Sequence, residues 1–157
     1  MATRLQRLQQ VLHHKEILLQ QAARQWLQAR EQFTQGKTKH DQLLGYRHDY
    51  VTQLHQIGDG GCSLGRMRNR IDFIGQLDGA LSQISQQLAS LAKQRSHFET
   101  LYLQAKAEQD AVINLIQRVK EQENNRQMQI EQKESDEYAQ KQWYSKISSI
   151  KLNNRGD

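Results

Sequence analysis

The sequence predicts an all-α fold, a long antiparallel two-helix coiled-coil hairpin with a C-terminal helical overhang. Three observations predict it. The 157-residue chain contains no proline, two long heptad registers run through it, and a cluster of glycines separates them. Hydrophobic residues make up 36% and aromatics 6%, and about one residue in six is Gln. Such a chain cannot fill a thick layered core. Its dominant residues (Gln, Leu, Ala, Lys, Arg, Glu) favour helices, and without proline nothing forces a break. A length of this order corresponds to one domain, here a single hairpin over residues 1–150 followed by a loose tail over 151–157.

The first helix is expected over residues 2–56. With position a at Leu5, the a series reads Leu5, Leu12, Leu19, Trp26, Phe33, His40, Arg47, Leu54. The d series reads Leu8, Lys15, Ala22, Ala29, Gly36, Leu43, Tyr50, Ile57. Most are apolar, and the count never slips, which is the signature of a coiled-coil seam.

The turn is expected over residues 57–65, "IGDGGCSLG". It holds four of the nine glycines, and glycine supplies the positive φ angles that end a helix and reverse a chain. "GGCSLGRM" also resembles a phosphate-binding loop. However, Arg66 stands where that motif needs lysine, Met67 stands where it needs a hydroxyl for magnesium, and no strand precedes it. The turn reading is preferred.

The second helix is expected to be paired over residues 66–119. Its a series is Met67, Ile74, Leu81, Leu88, Arg95, Tyr102, Gln109, Ile116, and its d series is Arg70, Leu77, Ile84, Leu91, Phe98, Ala105, Val112, Val119. Beyond Val119 the pattern fails, with Glu123, Arg126 and Lys133 at seam positions. A turn centred on Gly61 puts residue 3 opposite residue 119, so the second seam fades where its partner helix begins. Residues 120–150 then form the overhang.

Several function classes are disfavoured. A single cysteine, Cys62, forms no internal disulfide and suits a reduced, cytoplasmic setting. No apolar run approaches the length of a membrane span, and the N-terminus lacks the apolar stretch of a secretory signal. The net charge of +5 is spread along the chain. Eight basic and five acidic residues lie in 1–60, seven and five in 61–119, and seven and seven in 120–157. Only Arg66, Arg68 and Arg70 form a tight run. A nucleic-acid footprint needs more cations on one face with aromatics between them.

Catalytic and metal chemistry find no constellation. His13 and His14 are adjacent on a helix and face different ways. His48 and His55 share a face, but no carboxylate or Cys stands at ligand spacing with both. Asp49 beside His48 lacks a placed nucleophile. No cofactor, metal or catalytic residue is expected, and the terminal Arg155-Gly156-Asp157 reads as a chance tripeptide on a loose end.

The informative positions flank the seam. In an antiparallel pair the g positions of the two helices share an edge. The middle of that edge is polar, with Gln25, Gln32, Gln87 and Gln94. Near the turn it becomes apolar, with Tyr46 and Phe73 at one level and Ala80 a heptad away, beside Leu43, Tyr50 and Leu77 of the seam. Near the open end it is apolar again, with Val11, Leu18, Leu101 and Leu115. Flanks of a two-helix coil are wet, so such residues form exposed patches. They read either as two partner surfaces or as a widened core or self-association edge. The overhang carries Ile130, Tyr138, Trp143 and Tyr144, residue types suited to anchoring at an interface. It reads as a segment that orders fully in a partner or as a frayed tail.

Together, "LLGYRHDYVTQL", the glycine-rich turn, "RMRNRIDFIGQLDGALSQ" and the terminal "ESDEYAQKQW" resemble the FliJ family of flagellar type III export proteins. The Y-x-x-x-Y before the turn and F-x-x-x-L after it carry the resemblance best, and it extends over nearly the whole chain. Lys39 and Ile84 depart from the family pattern at the edges of this region. The resemblance implies a non-enzymatic stalk, cytoplasmic and peripheral to the inner membrane on its cytoplasmic side. Its terminal end enters the hexamer ring of the flagellar export ATPase and promotes its assembly. Its tip contacts the linker of the membrane export gate, and it binds export chaperones. The implied gate patch is Leu43, Tyr46, Tyr50, Phe73, Leu77 and Ala80. The implied ATPase-ring contacts are Val11, Leu18, Leu101, Leu115, Ile130, Tyr138 and Trp143. No nucleic-acid partner and no direct membrane insertion are expected. A stalk of a virulence injectisome and a free coiled-coil scaffold or chaperone are the alternative readings.

Overall fold

A computed structural model describes residues 3–60 and 63–156. They form two helices that pack against each other, α1 (Arg4–Asp59) and α2 (Leu64–Arg155). By contact they divide into one unit of His14–Gln109 and a second of Met1–His13 with Asp110–Asp157.

The start of α1 is fixed locally. The Thr3 hydroxyl accepts from the Gln6 backbone N–H at 3.2 Å, and the Gln6 side-chain carbonyl accepts from the Thr3 N–H at 3.0 Å. This reciprocal capping box satisfies two donors that the first helical turn leaves without partners. It begins the helix at Arg4, where the heptad count alone suggested residue 2. Further along, the hydroxyls of Thr34, Thr38, Thr52 and Thr100 donate to carbonyls four residues back, at 2.9–3.0 Å. These threonines therefore keep their polar groups within the helix rather than breaking it.

The expected seam is the observed one. Every a and d position of both registers, from Leu5 to Ile57 and from Met67 to Val119, is at least half-buried. In the unit of residues 14–109, the buried apolar side chains are Ala22, Ala29, Leu77 and Leu81. Small and large residues alternate there. Ala22, Ala29 and Gly36 let the helices close, and Trp26 and Phe33 fill the space between. A Cβ built on Gly36 would stand 3.1 Å from Leu88 Cδ2 and 3.3 Å from Leu91 Cδ1. Trp26 stacks on Tyr102, with ring centroids 4.9 Å apart at 29°. The Arg95 guanidinium lies 4.2 Å from the Phe33 ring centroid, a cation–π contact that lets an arginine occupy an a position. The Lys15 ammonium, at a d position, reaches Glu108 at 3.0 Å.

In the second unit, Ile116 and Val119 are buried, with Leu5, Leu8 and Leu12 half-buried on α1. From residue 120 to residue 146 every side chain is exposed. Helix continues there on local pairs. Gln117–Glu121, Gln127–Glu131, Gln132–Asp136 and Gln142–Tyr138 are bonded at 2.9–3.3 Å across four-residue spacings, each adding about 0.2–0.5 kcal/mol.

Two expectations are corrected. Gly58, Gly60 and Gly65, the described glycines near the turn, do not work through positive φ. Gly58 lies within α1, Gly65 within α2, and the Gly60 N–H donates to the Gln56 carbonyl at 3.0 Å as in an α-turn. None of these three adopts a positive φ, and residues 57–59 and 64–65 of the expected turn are helical. Gly61 and Cys62 lie outside the described residues. Helix also continues through 151–155, which were expected as loose tail. Lys151 and Leu152 are good helix formers, and the terminal Arg155 suits that end, where a cation complements the helix dipole.

Candidate functional site

The described residues near the turn carry a cluster of aromatic, aliphatic and basic side chains, all within the unit of residues 14–109. Tyr50 and Phe73 meet directly, with ring centroids 4.6 Å apart at 42°. Arg70 donates to the Gln53 side-chain carbonyl, which holds its guanidinium 5.7 Å from the centroid of Tyr50. Tyr50, Gln53, Ile57, Arg66, Arg70 and Phe73 line one shallow cleft. Next to it Arg47 pairs with Asp78.

The six expected gate residues separate into two groups. Tyr46 is 57% exposed and Phe73 39% exposed, so both offer ring surface to solvent. Leu43, Tyr50 and Ala80 are half-buried, and Leu77 is only 7% exposed. Leu77 packs the seam beneath the patch, where it fixes the height of its neighbours. The pairing also differs from expectation. Tyr50, not Tyr46, lies across from Phe73; a turn centred on Gly61 sets residue 50 opposite 72 and residue 46 opposite 76, so Tyr50 is the nearer of the two in level.

Sequence reasoning missed the polar frame of this cluster. Arg70 reads in the sequence as a seam residue and as part of the basic run, yet an arginine at a d position needs an acceptor, and Gln53 on the facing edge is the available signal. It also missed the exposed Leu44, Leu64 and Ile71. These occupy e positions, the edge opposite to the g series, and the same periodic count locates them.

The seven expected ring contacts are all exposed. Leu18 and Leu101 belong to the unit of residues 14–109. Val11, Leu115, Ile130, Tyr138 and Trp143 belong to the other. Trp143 and Tyr144 make an edge-to-face pair at 5.4 Å and 70°. Neither ring is covered by another part of the described chain; Trp143 is 60% exposed.

Among the described residues, no three His, Cys, Asp or Glu side chains converge as metal ligands, and no helix is long and apolar enough to cross a membrane. His40 stands 3.4 Å from Asp41, beside it in the sequence and without a nucleophile. Gly65, Arg66 and Met67, read against the phosphate-loop motif, lie in the first turn of α2 and follow a helix.

Fold and displayed side chains thus define a two-helix coiled-coil protein whose chemistry lies in what its flanks present. The chain belongs to the FliJ family: the family model described as flagellar FliJ protein matches residues 4–148. That membership makes it a component related to flagellar protein export. No curated protein and no solved structure matches the chain significantly.

Proposed function

We propose that this chain is a stalk and coupling component of the flagellar export apparatus. It promotes assembly of the export ATPase ring, contacts the cytoplasmic linker of the export gate and receives export chaperones. It acts as a binding element and not as an enzyme, in the cytoplasm at the inner face of the inner membrane.

One observation carries this reading. Large aromatic and aliphatic side chains stand exposed on a helix that could have been polar throughout. Exposed groups of this kind on an otherwise hydrophilic coil mark partner surfaces. The gate surface comprises Tyr46 and Phe73, with Tyr50 and Ala80 at its margin and Leu43 and Leu77 supporting it. The ring surface comprises Val11, Leu115, Ile130, Tyr138 and Trp143, with Leu18 and Leu101 as further contacts. Residues 120–150, whose side chains all stand exposed apart from Ile147, serve as an overhang that takes its partner in the ring. A single asymmetric chain within a sixfold ring meets its subunits unequally. Unequal contact biases the states those subunits occupy.

The deciding experiment measures ATPase activity and ring size of the cognate export ATPase with and without this chain. Hexamer formation and faster hydrolysis are expected, and both should be lost when the chain is truncated after residue 119. Absence of binding would overturn the stalk reading in favour of a free scaffold. Stimulation that survives truncation would remove the overhang from the ring surface.

A further inference from the structure

The charge of residues 121–156 is segregated. Residues 121–137 contain six acidic and two basic side chains. Residues 138–156 contain four basic ones (Lys141, Lys146, Lys151 and Arg155) and no acidic one. All lie on the exposed part of α2.

The cationic part is also amphipathic. Trp143, Ile147 and Ile150 follow the i, i+4, i+7 spacing that aligns side chains on one helical face. Ile147 is the one half-buried residue described beyond Val119. At about 100° per residue, Lys146 lies roughly 60° to one side of Trp143 and Lys151 roughly 80° to the other. Ser145, Ser148 and Ser149 take the opposite face, with Leu152 among them. Tyr144 sits beside the stripe and packs edge-on against Trp143.

A narrow apolar stripe with a Trp–Tyr pair and lysines along both margins matches a helix lying in a bilayer interface. The rings sit at headgroup level, and the lysine stems run along the acyl boundary with their ammonium groups in the headgroups. The cations complement an anionic surface, where each contributes at the scale of single-lysine attraction. The preceding acidic stretch is repelled by the same surface, so only the last turns can engage it. Ile150, Lys151, Leu152 and Arg155 lie outside the span matched to the family.

We propose that residues 141–155 of this chain bind the surface of an anionic lipid bilayer, lying in its plane without crossing it. This contact is independent of the ATPase-ring reading. The two share Trp143 and therefore exclude one another on one molecule at one time.

The test is flotation of the full chain with vesicles of phosphatidylglycerol and phosphatidylcholine, against vesicles of phosphatidylcholine alone. Binding to the anionic vesicles only is expected, with loss as salt is raised. Lys146→Gln/Lys151→Gln and Trp143→Ser should each lower the partition by about tenfold or more, with helix content by circular dichroism unchanged. Arg68→Gln, in the other unit, should float as the parent does. The proposal is overturned if the parent fails to float, if the terminal variants float as well as the parent, or if Arg68→Gln is equally impaired. Protection of Trp143 from quenching by the export ATPase but not by anionic vesicles would identify a protein occupant instead and would also overturn it.

Discussion

Tyr50 lies against Phe73, with ring centroids 4.6 Å apart, and so ties the two helices together beside the patch that Tyr46 displays. The two tyrosines of the Y-x-x-x-Y motif thereby divide the work between architecture and presentation. Phe73→Ala removes an aromatic pair worth about 0.5–1.5 kcal/mol beyond its buried area. A fall in unfolding free energy larger than that increment, because the covered part of the ring is lost as well, is expected in a urea titration. Tyr46→Ala should leave stability within about 0.5 kcal/mol, as an exposed position without a special contact does. Binding to the gate linker, read by calorimetry, should fall for both variants. A Tyr46→Ala protein that binds the linker at full strength would remove Tyr46 from the gate surface.

The helical glycines predict opposite responses. A Cβ on Gly36 would stand 3.1 Å from Leu88 Cδ2 and 3.3 Å from Leu91 Cδ1, so those leucine tips would have to give way. Gly36→Val should destabilise by about 1–3 kcal/mol through overpacking. Around Gly75 and Gly79 an added Cβ meets nothing within 4 Å. Gly75→Ala and Gly79→Ala should each stabilise by about 0.5–1 kcal/mol through helix propensity alone. Thermal melts of the three single variants check the sign at each site.

Trp26 carries an indole N–H that is buried without an acceptor, while its ring stacks on Tyr102 and lies 5.2 Å from the Arg30 guanidinium. Trp26→Phe retains a ring and removes the unsatisfied donor, whose burial costs about 1–3 kcal/mol. Its stability should therefore stay within about 1 kcal/mol of the parent, whereas Trp26→Ala should lose on the order of 3 kcal/mol. A Phe variant as damaged as the Ala variant would mean that the N–H has a partner in solution.

Truncation after residue 119 separates local from tertiary helix. Side chains 120–146 are all exposed, so this stretch adds helix without adding seam. The truncated chain should lose ellipticity in proportion to the residues removed. Its cooperative melting midpoint should move by only a few degrees. Val119→Ala, at a side chain only 4% exposed, should lower the midpoint through lost burial, at about 0.8 kcal/mol per methylene plus a cavity contribution.

The seam was legible in the sequence because burial in a coiled coil follows from counting. Lys15, Arg47, Arg70 and Arg95 are polar, yet the register still places each of them at the interface, and the structure finds a Glu, an Asp, a Gln and a Phe ring to receive them. What could not be counted was local. Thr3 and Gln6 carry a capping motif that straddles Leu5, the first seam residue, and is invisible to a heptad count. Gly58, Gly60 and Gly65 look like turn residues by type, but backbone hydrogen bonding holds them in or beside helix. The candidate surfaces were legible as exposure, since periodicity says which side chains face out. Which of them meets which partner is a property of two molecules and is written in only one of them here.

The alternation of Ala22, Trp26, Ala29, Phe33 and Gly36 turns the helix pair into a counting device. Removing one residue between Ala22 and Phe33 rotates everything beyond it by about 100°, swinging Phe33 away from Arg95 and bringing Thr34 and Lys37 inward in place of Phe33 and Gly36. Removing seven restores the face, provided that seven also leave the opposing arm. Insertions and deletions in this part of the chain are therefore tolerated only in matched heptads. Between those steps, neighbouring lengths are forbidden, like the gaps between teeth on a ratchet.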